Sequence, residues 1–195
     1  MLQAAPVYPK LKREQSKDSH LLVIDPADIH IGKLATAFET GDAYDVKIAS
    51  DRVHEGVQGI LDKTSSFNID QILFIGGNDI LHTDNARRRT TSGTPQDTDG
   101  MWYENYLTAK DVIVEVLEKL ITVADVHYIH CPSNHDYVSG FFLSDVIKTW
   151  FHKNDNITFD CSIAHRKYFR YGTNLIGATH GDGAKQNDLP LLMAE

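Results

Sequence analysis

The sequence predicts an α/β protein in which a largely parallel sheet is covered by helices. Short apolar runs of strand length alternate along the chain with longer segments whose apolar residues recur at helical spacing. The chain has 195 residues, of which 42% are hydrophobic, enough for one sizeable core but short for two domains. We therefore expect a polar N-terminal segment over residues 1–19 and a single domain over residues 20–195.

The individual elements follow from the periodicity of the apolar residues. Strands are predicted at His20–Asp25, Gln71–Gly77, His127–His130, Ile157–Cys161, Lys167–Tyr171 and Asn174–Thr179. Helices are predicted at Tyr44–Leu61, Tyr103–Val123 and Ser139–Phe151. The sequence YGTN between the last two strands indicates a hairpin, and NDLPLLMAE at the C-terminus is typical of the first turns of an amphipathic helix.

One long segment, His82–Gly100, has no periodicity and is rich in Thr, Asp, Gly and Arg. A loop of this length inside a compact domain is usually functional or disordered. Its three consecutive arginines, Arg87, Arg88 and Arg89, are either a solvated charge run, which is the commoner case, or contacts for a nucleic-acid backbone.

Composition excludes several classes of protein. No apolar run approaches the roughly 20 residues of a membrane-spanning helix, and the N-terminus is too polar for a signal peptide, so we expect a cytoplasmic protein with no membrane partner. The two cysteines, Cys131 and Cys161, are too few for a disulfide framework and are expected to be buried thiols. The net charge of -8 argues against a generally basic surface, although a local basic patch or bound cations could still meet phosphate.

Polar side chains follow four of the predicted strands, where ligands bind in parallel sheets. They are Asp28 and His30; Asn78, Asp79 and His82; Asn134, His135 and Asp136; and His180 and Asp182. Each residue alone has an ordinary explanation as a turn residue or a partly buried histidine. Because four successive strand ends each deliver a carboxylate or an imidazole, we expect a shared site.

The chemistry that unites these side chains is the binding of two divalent cations. A carboxylate can bridge two metals, while imidazoles and an amide oxygen complete each shell, and this mixture suits Mn, Fe or Zn better than calcium. Two metals about 3.5–4 Å apart can activate water and neutralise charge on a phosphoryl group. The expected cofactors are therefore two divalent metal ions, Mn above all, with Fe and Zn as alternatives, and the expected reaction is phosphoester hydrolysis.

The order of the motifs resembles that of the calcineurin-like metallophosphoesterase superfamily. The motifs are Asp-x-His at Asp28, Gly-Asn-Asp ending at Asp79, Asn-His-Asp from Asn134, and His-Gly at His180. The resemblance implies a layered metallophosphoesterase-like fold with sheets flanked by helices. It also implies a dinuclear metal-dependent phosphoesterase, a hydrolase.

The resemblance further implies a role for each matched position. The implied metal ligands are Asp28 and His30 on the first metal, Asp79 bridging both, and Asn134 and His180 on the second. His135 is implied to stabilise the transition state or to protonate the leaving oxygen, with Asp136 orienting its ring.

The sequence GGNDILH carries a finer likeness. His82, three residues after Asp79, is similar to the histidine of the Gly-Asp-Leu-Phe-His motif in the Mre11/SbcD nuclease branch, where it positions the phosphate. Capping of the following loop is an equally good explanation for His82. The likeness implies a phosphodiester substrate, with DNA favoured over small phosphomonoesters.

This chain departs from the superfamily pattern at three places. Ser133 replaces the usual glycine, and Asn78 is inserted between Gly77 and Asp79, changes that affect backbone geometry more than ligand identity. Nothing after His180 resembles the final Gly-His-x-His motif. We expect a fragment without the closing C-terminal strands, which would bind metal weakly and expose apolar surface that favours a homo-oligomer; a site completed by a neighbouring chain and a degenerate member are the alternatives.

Two other functional classes compete with a phosphodiesterase. A non-catalytic binding or scaffold module could keep the fold, but it would not require the six polar residues carried over as metal ligands and catalytic histidine. A nucleotide-binding or oxidoreductase domain would need a Gly-x-Gly-x-x-Gly turn after the first strand, where DPADIHIGK stands instead.

Overall fold

The protein is described by a computed structural model that covers residues 6, 8–9, 11–12, 18–183 and 185–194. Most of the predicted N-terminal segment, 1–19, lies outside these residues. Within it, Tyr8 stacks on Phe151 with ring centroids 5.4 Å apart and donates a hydrogen bond to Glu118. Tyr8 therefore packs against the domain.

Strands and helices alternate as predicted, with ends that differ by a few residues. The strands are β1 (His20–Ile24), β2 (Ile69–Gly77), β3 (Asp125–Cys131), β4 (Ile157–Asp160), β5 (Lys167–Tyr171) and β6 (Asn174–Ala178). The helices are α1 (Ala37–Thr40), α2 (Val46–Thr64), α3 (Trp102–Val123), α4 (Tyr137–Trp150) and α5 (Leu189–Ala194), with a 3-10 turn at Gln186–Asp188. In the described part of the chain, no helix has both the length and the apolar character needed to cross a membrane.

The first four strands form one sheet in the order β1-β2-β3-β4, and every neighbouring pair is parallel. This confirms the predicted α/β class and the largely parallel sheet. Strands β5 and β6 pair with each other as an antiparallel hairpin, as the YGTN sequence predicts. The turn uses Gly172 in the left-handed region, with φ of 55°.

The two faces of the parallel sheet bury different layers. One face, with Ile72, Phe74, Val126 and Tyr128, packs against α2, α3 and α4 in the larger core. The opposite face has Leu73, Ile75, Ile129 and Cys131, which pack against Phe169 and Ile176 of the hairpin. Because successive side chains point to opposite faces and both faces are covered, the strands read as continuous apolar runs.

The two cysteines differ in burial. Cys131 is buried in the smaller core, as predicted, whereas Cys161 is only half-buried. Both are free thiols, and burial raises the pKa of Cys131 to about 12. The Cys131 thiol is therefore protonated at neutral pH.

The long segment between β2 and α3 is an ordered loop. Backbone hydrogen bonds cross it from Asp84 N to Arg89 O, from Gln96 N to Arg88 O and from Thr90 N to Thr94 O. These bonds fold the loop back on itself in a hairpin-like shape. The alternative of a disordered segment is therefore wrong.

Candidate metal centre

The candidate site lies at the carboxyl ends of β1, β2 and β3, where backbone hydrogen bonds join the segments that follow the strands. Asp28 N donates to Asn78 O and His30 N donates to Asp79 O, each at 2.9 Å. Asn78 N donates to Cys131 O at 3.0 Å. The backbone thus fixes the three strand ends relative to one another before any side chain is considered.

The backbone at this edge is strained. Asp28, His30, Asn78 and Asp79 all have positive φ, between 49° and 62°, a region that residues other than glycine seldom adopt. Such residues cluster at functional sites, because the surrounding structure must hold them there at a cost in stability. Beside them, Gly77 has φ of 79°, and a Cβ atom there would strike the backbone of Cys131.

The first group of possible ligands is Asp28, His30 and Asp79, whose ligand atoms all lie within 4.8 Å of one another. His30 Nε2 is 3.6 Å from Asp28 Oδ1 and 4.0 Å from Asp79 Oδ2. Asp28 is exposed, whereas Asp79 is only 3% exposed. The exposed carboxylate of Asp28 and the buried carboxylate of Asp79 therefore both lie close to the imidazole of His30.

The second group shares Asp79. Its Oδ2 is 3.5 Å from His180 Nε2, and the same His180 nitrogen is 2.8 Å from Asn134 Oδ1. His180 follows β6, which belongs to the hairpin and not to the parallel sheet, yet it reaches the same edge. The carboxylate of Asp79 consequently lies between His30 on one side and the pair of Asn134 and His180 on the other.

The donor set suits divalent metal ions. The ion-pair partners of buried Asp79 within 4.0 Å are the imidazoles of His30 and His180, and a buried carboxylate with such partners is costly without a cation. Burial and the neighbouring His135 lower the pKa of His30. The neutral imidazole is the form that binds a metal, so the residues present fit such an ion.

Three imidazoles also cluster in the site, those of His30, His82 and His135, with ligand nitrogens within 4.8 Å of one another. His82 Nδ1 is 3.4 Å from His30 Nδ1, and the His30 and His135 ring centroids are 4.5 Å apart. Burial, followed by His30 and His135, lowers the pKa of His82 to about 4. The structure thus brings His82 into contact with the candidate ligands.

His135 is held by two contacts. Its backbone N–H donates to Asp79 Oδ1 at 3.0 Å, and its ring Nδ1 is 2.9 Å from the backbone oxygen of His82. Because a carbonyl oxygen can only accept, this contact places the hydrogen on Nδ1 and leaves Nε2 free to exchange a proton.

The prediction that Asp136 orients the ring of His135 is wrong. The Asp136 carboxylate points into the interior, where it accepts hydrogen bonds from Ser133 Oγ at 2.5 Å and from Leu81 N at 2.9 Å. Burial raises the pKa of Asp136 to about 7, against the effect of these two hydrogen bonds. Asp136 therefore joins the segments after β2 and β3, and the carbonyl of His82 holds the ring instead.

Sequence reasoning missed Ser133 as a contributor to the site. Its hydroxyl accepts a hydrogen bond from Asp79 N at 2.8 Å and donates to Asp136. Ser133 thus connects the backbone of Asp79 to the buried carboxyl group of Asp136. Only its place directly before the polar residues Asn134, His135 and Asp136 hinted at this, because its partner Asp79 lies 54 positions away.

Asn78, between Gly77 and Asp79, also has a structural role. Its Nδ2 donates to Asp25 Oδ1 at 3.1 Å, which connects the end of β1 to the end of β2. Asn tolerates the left-handed conformation that this position requires. Asn78 therefore supports the approach of the two strand ends.

The ordered loop is attached to the site through Asp84 and Thr91. Asp84 Oδ1 accepts hydrogen bonds from Val138 N at 2.9 Å and from Ser139 N at 2.7 Å, at the start of α4. Thr91 donates from its hydroxyl to Asp84 and from its backbone N to Asn134 O. The loop consequently helps to position a candidate metal ligand, Asn134.

The three loop arginines do not share one role. Arg89 Nη1 donates to Gly93 O within the loop at 2.7 Å. Arg87 and Arg88 are exposed, and Arg88 Nη2 lies 4.0 Å from the sulfur of Met101. All three side chains are exposed, but Arg89 bonds within the loop whereas Arg88 lies beside the start of α3.

The chain matches no protein-family profile, no curated protein and no solved structure. The function of the protein is therefore inferred from the site itself.

Proposed function

We propose that this protein is a dinuclear metal-dependent phosphodiesterase, related to the calcineurin-like metallophosphoesterases, and that it acts on DNA. The observation that carries the proposal is the position of the Asp79 carboxylate. One of its oxygens lies 4.0 Å from His30 and 3.5 Å from His180. A bridging carboxylate in a two-metal site needs such a position between two sets of ligands.

The ligand assignment follows from these two sets. Asp28, His30 and Asp79 would hold one ion, and Asp79, Asn134 and His180 the other, with Mn, Fe or Zn suited to the mixture of nitrogen and oxygen donors. When bound, such ions would polarise the phosphodiester and offset its negative charge. The His/Asp grouping around His30 supports the first set, and the contacts of His180 support the second.

The chain's own residues would do the rest of the chemistry. His135, with Nδ1–H directed to the His82 carbonyl, would in its imidazolium form use Nε2–H to donate a hydrogen bond to a phosphoryl oxygen or a proton to the leaving oxygen. The ring of His82, whose pKa is lowered to about 4, would be neutral and would position the phosphate as a hydrogen-bonding group rather than as a charge.

Two features favour DNA over a small phosphomonoester. The spacing in GGNDILH is similar to that of the nuclease branch, and His82 lies against His30 and His135. The exposed Arg87 and Arg88 lie on the loop that is attached to Asn134. They could contact phosphates on either side of the one that is cleaved.

Mn-dependent hydrolysis of bis(p-nitrophenyl) phosphate, and of labelled single- and double-stranded DNA, tests the proposal. We expect His135→Ala to lower kcat by about 10²–10⁴-fold, the usual contribution of an acid or base, while Mn binding is retained. His152→Ala is the matched control, because His152 is exposed and its ring bonds to the nearby Thr149 carbonyl, away from the candidate ligands. Its kcat should equal that of the wild type.

The scaffold hypothesis predicts the opposite result. If the wild-type protein binds no Mn and cleaves none of these substrates, the catalytic proposal fails and a binding or scaffold role replaces it. If the bis(p-nitrophenyl) ester is cleaved but neither form of DNA is, the phosphodiesterase proposal stands and the DNA assignment fails.

A further inference from the structure

A cavity of about 360 Å³ opens beside the candidate metal centre. Leu81 and Thr83, which flank His82, line it on one side, and Val138 and Ser139 at the start of α4 line it on the other. This volume falls within the range of small-molecule sites. A group bound here would lie next to a phosphate at the histidine cluster.

The walls of the cavity are mainly apolar and partly aromatic. Its apolar lining is formed by Ile31, Leu81, Trp102, Tyr106, Val138 and Phe142. Trp102 is 52% exposed and Phe142 is 56% exposed. Neighbouring large aromatic side chains that are this exposed often mark a binding surface. Exposed rings at the mouth of a cavity offer flat surfaces on which another ring can stack.

The polar groups in the cavity are mostly engaged within the protein. Asp84 Oδ1 accepts from the backbone of α4, Asn85 Oδ1 accepts from Arg87 N, and Asn105 Nδ2 donates to Asp99 O. Few polar atoms of the lining therefore remain to form hydrogen bonds with a ligand. The cavity therefore suits a planar ring of any base type and not one particular base.

The rim of the cavity is positively charged on one side. Ala86 lines the cavity, the exposed Arg87 and Arg88 follow it, and Arg88 Nη2 lies 4.0 Å from Met101 Sδ, next to Trp102. In a protein with a net charge of -8, the exposed guanidinium group of Arg88 next to Trp102, with the exposed Arg87 before it in the chain, complements a ligand that joins an aromatic ring to phosphates.

From these observations we propose that the cavity accepts an unpaired base of single-stranded DNA, next to the phosphodiester at the metal centre. This inference rests on the proposed function and narrows its substrate to single-stranded or frayed DNA. A base inside a duplex is stacked and paired, so it must leave the helix before it can enter a cavity of this kind.

Direct binding tests the inference without turnover. Fluorescence anisotropy compares a labelled thymidine hexanucleotide with an abasic deoxyribose-phosphate chain of equal length, with calcium in place of Mn. Stacking on aromatic side chains should make the thymidine chain bind about tenfold more tightly. The double variant Trp102→Ala/Phe142→Ala should lower that ratio to about one.

The matched control is Leu107→Ala/Val146→Ala. Both side chains are exposed on the same two helices but neither lines the cavity, so this variant should keep the tenfold ratio. The sequence has two tryptophans, Trp102 and Trp150. A second readout therefore uses Trp150→Phe, in which the tryptophan fluorescence comes from Trp102 alone. The thymidine chain should quench its fluorescence more strongly than the abasic chain does.

The inference is overturned if the wild type binds both chains equally, or if the double variant keeps the wild-type ratio. A different result would show that a second copy covers the cavity instead. In that case the wild type would be a dimer that binds both chains equally, and the double variant would be a monomer. Hydrolysis of bis(p-nitrophenyl) phosphate with a binding ratio of one would overturn the base site alone. A tenfold ratio without any hydrolysis would overturn the phosphodiesterase proposal and leave a base-binding site.

Discussion

The helix-covered face of the sheet and its carboxyl-end edge are built in opposite ways. On the face, Ile113, Leu117 and Leu120 of α3 are fully buried among other apolar side chains. At the edge, buried side chains include Asp79 and His82, and four neighbouring residues adopt positive φ. The buried apolar side chains on the face stabilise the protein, whereas the strained backbone and buried polar groups at the edge destabilise it.

This difference shows where each kind of substitution should act. Apolar burial is worth about 25 cal/mol per Å², so truncation on the face should lower the free energy of unfolding. The candidate metal ligands at the edge include residues held in a strained backbone, so substitution of these ligands should change binding and catalysis while stability changes little.

The largest expected effect is that of Asp79→Asn. Because Asp79 belongs to both ligand sets, its loss should reduce Mn-dependent hydrolysis to background. In the absence of metal, asparagine can still accept from His135 N, so we expect the free energy of unfolding to stay within about 1 kcal/mol of the wild type. Hydrolysis rates and urea unfolding in a chelator measure the two effects.

The matched control for this substitution is Asp111→Asn, an exposed carboxylate on α3 that pairs with Lys110. It should leave both quantities unchanged. Retained hydrolysis in Asp79→Asn would contradict the bridging role, and a large loss of stability would contradict the contrast between edge and face.

The next largest effect is expected from a substitution on the helix-covered face, where it should lower the free energy of unfolding. Leu117→Ala removes a fully buried side chain and should lower the free energy of unfolding by about 2–5 kcal/mol. At a temperature where the variant is folded, its kcat and its Mn affinity should match those of the wild type. Urea unfolding and hydrolysis assays check this, and a selective loss of Mn affinity would show that the face and the edge are not independent.

An intermediate effect is expected for Ser133→Ala, which removes the hydroxyl between Asp79 and Asp136. Leaving buried polar groups without this partner should cost about 1–3 kcal/mol, and loss of support for a metal ligand should weaken Mn binding by about 10–100-fold. Metal titration and urea unfolding give the two values.

Ser144→Ala separates positioning from stability. Ser144 is buried and bonds to Tyr128 and His130, away from the ligands. We expect it to lose comparable stability but to keep its Mn affinity. If both serine variants lose Mn affinity equally, Ser133 has no specific positioning role.

The smallest effect is expected from Gly56→Ala on the exposed side of α2. No atom lies within 4 Å of the added Cβ, so alanine should stabilise the helix by about 0.5–1 kcal/mol. Gly77→Ala at the edge should instead destabilise the protein, because of its positive φ and its closeness to Cys131. Thermal unfolding of both variants gives the comparison, and stabilisation by Gly77→Ala would contradict the strained backbone described here.

Much of the regular structure could be predicted from the sequence because its causes are local. Burial on both faces makes β2 a continuous apolar run, and the broad apolar face of α3 predicts its extent closely. The start of α2 is predicted less exactly. The sequence predicts a helix from Tyr44, and the observed helix begins at Val46. The difference arises because Asp45 caps the helix by accepting from Ile48 N at 2.7 Å.

The candidate site could be predicted only in part. The positions of Asp28, Asp79 and His180 follow from strand ends and motif order, so their convergence was expected. The inward direction of Asp136 depends on Leu81 N, 55 positions away. Likewise, the order of the long loop depends on Asp84 reaching the start of α4, a tertiary contact that loop composition does not reveal.

The number of Mn ions bound per chain tests the central claim most directly. Titration calorimetry with electron paramagnetic resonance should find two ions in the wild type, one in Asp28→Asn, one in His180→Ala and none in Asp79→Asn. A single ion in the wild type, unaffected by His180→Ala, would contradict a dinuclear site centred on Asp79.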